Sequence, residues 1–105
     1  MAIADPYSPI LVSGDLAFVS GQASLDPETH AVIGTGIVEQ TRNTIANIER
    51  LLASVGASLD DVVKVNAYLA DIADFDAFSA AYAALFMAPR PARTTVGVQL
   101  AGILV

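Results

Sequence analysis

A chain of 105 residues with no cysteine, eleven acidic side chains and five basic ones carries a net charge of −6. Disulfides, thiolate metal sites and thiol nucleophiles are excluded, and without a cluster of Lys or Arg so is nucleic acid as a main partner. Apolar residues make up 54% and charged ones 15% of a chain of one-domain length (residues 1–105), a bias expected where copies of the chain cover one another's surface.

The apolar runs fall short of a membrane span. The start, Met1-Ala-Ile-Ala-Asp-Pro6, has neither the positive region nor the apolar core of a signal peptide, so a cytoplasmic protein with no membrane partner is expected.

Between residues 9 and 22, two apolar runs flank Gly14-Asp15, the pattern of a hairpin with a two-residue turn. In its second strand Leu16, Phe18, Ser20 and Gln22 share one face, and Ala17, Val19, Gly21 and Ala23 the other. Asp26-Pro-Glu-Thr29 is a turn by composition, and Ala31-Val-Ile33 offers a short strand after it. From Gly36 the period changes. Ile37, Thr41, Ile45, Ile48, Leu52 and Val55 recur at three- and four-residue steps, which predicts an amphipathic helix capped by Thr35 and closed by Gly56.

Ser58-Leu-Asp-Asp61 has the form of a capping box. It leads into a strand over 62–70, with Val63, Val65, Ala67 and Leu69 on an apolar face and Val62, Lys64, Asn66 and Tyr68 opposite. Asp74 starts a second helix with Phe75, Phe78, Tyr82, Leu85 and Phe86 on one stripe, and Pro89 and Pro91 end it. Residues 91–100 then alternate as a strand, and 101–105 form a short apolar run with strand character.

This order predicts an α+β fold: a mixed β-sheet with two helices packed on one face. The uncovered face is expected to carry Phe18, Ser20, Lys64, Asn66, Tyr68, Arg93, Thr95 and Gln99. That mixture is too polar for a dry core and too aromatic for plain solvent, and it suits a subunit interface with a pocket.

Arg93 is the residue that most needs a partner there. A guanidinium stays charged and offers five donors, so on a half-buried sheet face it pairs either with a carboxylate across a subunit interface or with a carboxylate ligand. The other candidates have plainer readings. His30, the lone histidine, sits in a turn without the second ligand a metal or triad requires. Asp60, Asp61, Asp71 and Asp74 read as caps. Gly34-Thr-Gly36 lacks the spacing of a phosphate loop. Tyr7 lies in a proline-stiffened entry segment, and Ser20-Gly21 can bring backbone close to a ligand or form a bulge.

Taken in order and spacing, Pro6-Tyr-Ser-Pro9, Leu16-Ala-Phe-Val-Ser-Gly-Gln22, Leu25-Asp-Pro-Glu-Thr29, Gln40-Thr-Arg42, Leu59-Asp-Asp-Val-Val-Lys64, Tyr68-Leu-Ala-Asp71 and Arg90-Pro-Ala-Arg-Thr94 resemble the RidA (YjgF) family of reactive-intermediate deaminases. The resemblance implies a chorismate-mutase-like fold in a homotrimeric barrel with ligand pockets between subunits. It implies cofactor-free, metal-free hydrolysis of 2-imino and enamine acids, such as 2-aminoacrylate and 2-iminopropionate, to 2-keto acids and ammonia.

On that resemblance Arg93 grips the substrate carboxylate, Tyr7 stands near the pocket mouth, and Ser20 and Gly21 line the pocket. Ser79 falls where many members have asparagine and Thr95 where many have cysteine. The family's last strand runs on into a glutamate thought to position water, one residue past Val105, and the usual proline before Ala101-Gly102 is missing. Either the sequence continues past Val105 or the chain lacks that carboxylate, and in the second case anion binding is expected to outlast hydrolysis. A non-catalytic carboxylate-binding or interaction module on the same fold is the competing expectation. Ribonuclease activity, known for some relatives, fits poorly with an acidic chain that has no basic face.

Overall fold

The computed structural model describes residues 5–105, so the expectation about the chain start falls partly on residues 1–4, outside the described residues. Strands β1 (Ile10–Ser13) and β2 (Leu16–Val19) pair antiparallel, with Ser13 opposite Leu16. The two-residue turn is therefore Gly14-Asp15, as expected, and Gly14 takes the positive φ of 59° that such a turn requires. Of the short strand predicted at 31–33, a single bridge between Leu25 and Val32 forms.

Helix α1 (Ile37–Ala53) begins at Gly36 with no side-chain cap, so Thr35 does not serve as predicted. Its end is as expected. Gly56, at φ 77°, allows the Gly56 and Ala57 N–H groups to turn back onto the carbonyls of Ala53 and Leu52. Thr41, Ile45 and Leu52 are buried, whereas Val55, past the helix end, is exposed. The Ser58–Asp61 capping box is present, on a 3₁₀ turn at Leu59–Asp61.

Strand β3 (Lys64–Leu69), helix α2 (Phe75–Ala83) and strand β4 (Ala92–Gly97) form a crossover unit with the strands parallel. Ile45, Ala67, Leu69, Phe78, Tyr82 and Phe86 make the buried core between the helices and this pair. Val63 stands outside it, 76% exposed, because β3 starts one residue later.

Among the described residues the fold is α+β with two helices, but the strands form two separate two-stranded ladders, not one mixed sheet. Side chains satisfy backbone groups in the segments between the ladders. Asn47 Nδ2 donates to the carbonyls of Ala23 (2.9 Å) and Leu25 (3.0 Å), just beyond β2. The predicted strand at 101–105 is also absent: Gly102 turns the chain at φ 76°, and the Leu104 N–H donates to Gln40 Oε1 at 2.8 Å. Only its carbonyl pairs with a strand end, accepting from Ala70 N–H at 3.0 Å.

A second correction concerns which face Arg93 occupies. Val65 pairs with Arg93 and Ala67 with Thr95, and paired residues point the same way. Arg93 and Thr95 therefore share the helix-covered face with the core residues. The outer face carries Tyr68 and Val96, 51% and 40% exposed, along with Lys64, Asn66 and Thr94. The alternation holds only within β4, which stops three residues short of the predicted end at 100, and the greasier set faces outward. Leu11, Val12, Leu16 and Phe18 of the hairpin are likewise more than half exposed.

Candidate functional site

Arg93 enters at the second position of β4, and its side chain crosses to α2. There Nη2 donates to Ser79 Oγ at 2.9 Å. Its Cζ lies 4.8 Å from the ring centre of Tyr82, 5.1 Å from that of Phe78 and 5.5 Å from that of Phe75. These spacings are those of cation–π contacts. None of these partners is a carboxylate. Charge neutralisation is left to something else, with the guanidinium half-buried and donors to spare.

Thr95, two residues on, has its Oγ1 buried without a hydrogen-bond partner among the described residues; the same holds for the hydroxyl of Tyr82. Burial raises the Tyr82 phenol pKa above its ordinary 10.0, partly opposed by the positive charges of Arg93 and Arg90. The phenol therefore remains a neutral donor at physiological pH.

Tyr7, Ser20 and Gly21 lie elsewhere, along a cavity of about 440 Å³ between the hairpin and α1. Ser20 Oγ donates to the Ser8 carbonyl at 2.6 Å and its N–H to the Pro9 carbonyl at 2.9 Å, which pins the entry segment that carries Tyr7. Among the described residues, a Cβ on Gly21 would meet nothing within 4 Å, so the space they leave there is open. Tyr7 is 57% exposed at this cavity.

The opposite wall comes from α1 and the turn after β2: Asn47, Arg50, Asp26 and His30. Asp26 Oδ1 accepts from the N–H groups of Glu28 (2.8 Å) and Thr29 (2.9 Å). Those bonds, first Thr29 and then Glu28, hold its carboxyl below the ordinary 3.8, with Arg50 adding a smaller pull. His30 closes the turn at φ 62° and is exposed, as a turn residue would be.

The six predicted residues thus fall into two groups: Arg93, Ser79 and Thr95 at the α2–β4 seam, and Tyr7, Ser20 and Gly21 at the hairpin cavity, whose lining includes none of the first three. Sequence reasoning missed the aromatic wall around Arg93. Its signal was present: Phe75, Phe78 and Tyr82 recur at three- and four-residue steps on the helix of a crossover unit, facing the strand that bears the arginine. Asn47, which shapes the cavity wall, is a second residue that sequence reasoning did not single out.

Among the described residues, no three or more His, Asp or Glu side chains cluster to hold a metal ion, and no helix is long and apolar enough to cross a membrane.

Residues 1–103 match the family model described as Endoribonuclease L-PSP. A RutC family protein of Pyrococcus abyssi is 44% identical over 93 residues, which span 89% of this chain and 73% of the relative. The chloroplastic Reactive Intermediate Deaminase A of Arabidopsis thaliana is 39% identical over 93 residues, 89% of this chain and 50% of that protein. The crystal structure of RidA from an Antarctic Psychrobacter superposes with a TM-score of 0.89 at 33% identity, covering 99% of this chain and 85% of that one. With a family model matching residues 1–103, a relative 44% identical over 93 residues and the same fold in RidA, the chain belongs to the RidA/YjgF family.

Proposed function

We propose that this protein hydrolyses small, reactive 2-imino and enamine acids to 2-keto acids and ammonia, in pockets that two protomers of a homotrimer build together. The observation that carries this reading is Arg93: a half-buried guanidinium, gripped by rings and a serine hydroxyl, with no anion among its contacts with the described residues. A fork of that kind fits a carboxylate bidentately. The deaminase name of the Arabidopsis relative supports the reaction class.

The two-protomer pocket is supported by the division of Tyr7, Ser20 and Gly21 from Arg93, Ser79 and Thr95. It is also supported by the exposed apolar residues Leu11, Leu16, Phe18 and Val96, which a neighbouring copy would cover. On this reading the trimer adopts the chorismate-mutase-like barrel of the family.

The chemistry asks little of the protein. Water adds to the C=N carbon of the imine, the nitrogen takes up a proton, and the carbinolamine loses ammonia as its C–N bond breaks and the carbonyl forms. The imine carbon is already electrophilic, so holding the carboxylate on Arg93 and a water over the C=N face supplies the orientation that dominates the rate. No cofactor is required by this scheme.

The test is release of ammonia or keto acid from freshly generated 2-iminopropionate. Acceleration by the native protein and its loss in Arg93→Ala are expected. Pyruvate binding without any turnover would instead identify a carboxylate-binding module.

A further inference from the structure

Tyr82 is 5% exposed and fixed on both sides, stacked on Phe86 at 4.5 Å with 28° between the planes and tilted against Phe78 at 5.7 Å. Phe78 is 2% exposed. These rings cannot move without disturbing the core, and the Arg93 Cζ sits 4.8 and 5.1 Å from their centres. Phe75 adds a third ring at 5.5 Å and is 39% exposed, at the edge of the seam.

A guanidinium is weakly hydrated across its flat faces and directs its N–H donors out of its edges. Three ring centres within 5.5 Å of Cζ and Ser79 at one edge therefore confine the guanidinium while leaving other donors free. An arginine otherwise loses several rotatable bonds' worth of freedom when a ligand arrives, which weakens binding. Resting on the reading of Arg93 as the carboxylate anchor, we infer that Phe75, Phe78 and Tyr82 are positioning residues that hold its guanidinium ready for a planar carboxylate.

The test uses the full chain and two readouts. The first needs no ligand: the Nε–H resonance of Arg93, identified by its loss in Arg93→Lys. It is expected to be displaced by ring currents, to stay displaced in Tyr82→Phe, and to move toward the position of a free arginine in Tyr82→Leu and Phe75→Leu. The second is pyruvate affinity by calorimetry. Tyr82→Phe should bind within about twofold of native and the two leucine variants roughly fivefold to tenfold more weakly. In an Arg93→Lys background the leucine changes should matter by less than about twofold, since an ammonium has no flat face to orient.

An undisplaced native resonance overturns the inference, as do leucine variants that bind like native or lose equal affinity with lysine at 93. Phe75→Leu carries the test if Tyr82→Leu does not fold, because Phe75 is partly exposed. A displaced resonance that responds as expected, in a native protein that binds no pyruvate, would support the positioning and reject Arg93 as a carboxylate anchor.

Discussion

Arg93 and Ser79, fourteen residues apart, meet across the α2–β4 seam through a 2.9 Å hydrogen bond from Nη2 to Oγ. The bond draws the guanidinium edge toward the helix and takes one of its donors. Ser79→Ala removes an acceptor for a charged donor, worth about 1.5–3 kcal/mol when fully buried and less at this half-buried position. The expected result is a pyruvate affinity lowered by roughly threefold to tenfold and a melting temperature lowered by a few degrees, and Ser79→Asn, which restores an acceptor, should retain most of both.

Tyr82 has a buried hydroxyl with no partner among the described residues. Its removal relieves the desolvation cost of that group, so Tyr82→Phe should be neutral or stabilising by up to about 1 kcal/mol at pH 7, read from urea denaturation. Its pKa is raised by burial, so the folded state keeps the proton above pH 10.0 while the unfolded chain loses it. Native stability should therefore fall as pH rises through 10.0, and less so in Tyr82→Phe.

Asp26 has a carboxylate held by the N–H groups of Thr29 and Glu28, which lowers its pKa below 3.8. The stabilisation is present above 3.8 and is lost as pH falls through the depressed folded value. Asp26→Ala should lower the melting temperature at pH 7. The gap between variant and native should shrink on acidification below 3.8, followed by circular dichroism.

Phe18 and Val96 project from the two ladders at 58% and 40% exposure. A charge at either position would be buried unpaired if neighbouring copies cover them. Phe18→Glu or Val96→Lys should shift the sedimentation profile from trimer to monomer while the isolated chain keeps its far-ultraviolet spectrum.

How far the sequence could be read depended on whether a signal was local. The hairpin at Gly14-Asp15, the Ser58–Asp61 capping box and the left-handed Gly56 are decided by neighbouring residues and were legible. The separation of the ladders was not, because no local pattern says which strands pair, and the contacts that hold the intervening backbone, from Asn47 and Gln40, span 22 to 64 residues.

The face of Arg93 was misassigned for a related reason. Alternation in β4 separates two sets of residues but does not say which set meets α2, and the outward set, Ala92, Thr94 and Val96, is the more apolar. Apolar residues pointed outward mark a surface that the single chain leaves uncovered. The family motifs point to the candidate residues, while their division between two regions is visible only in three dimensions.

The central claim, that one protomer's Arg93 works with another's Tyr7 and Ser20, is tested most directly by subunit complementation. Trimers of Arg93→Ala and trimers of a Tyr7→Ala, Ser20→Ala double variant would each be assayed on 2-iminopropionate, then unfolded, mixed in equal amounts and refolded together. With each pocket drawing its two halves from adjacent subunits, about a quarter of the pockets in the mixture are intact, so about a quarter of the native rate should return from two nearly inactive parents. A mixture no more active than its parents would contradict the account.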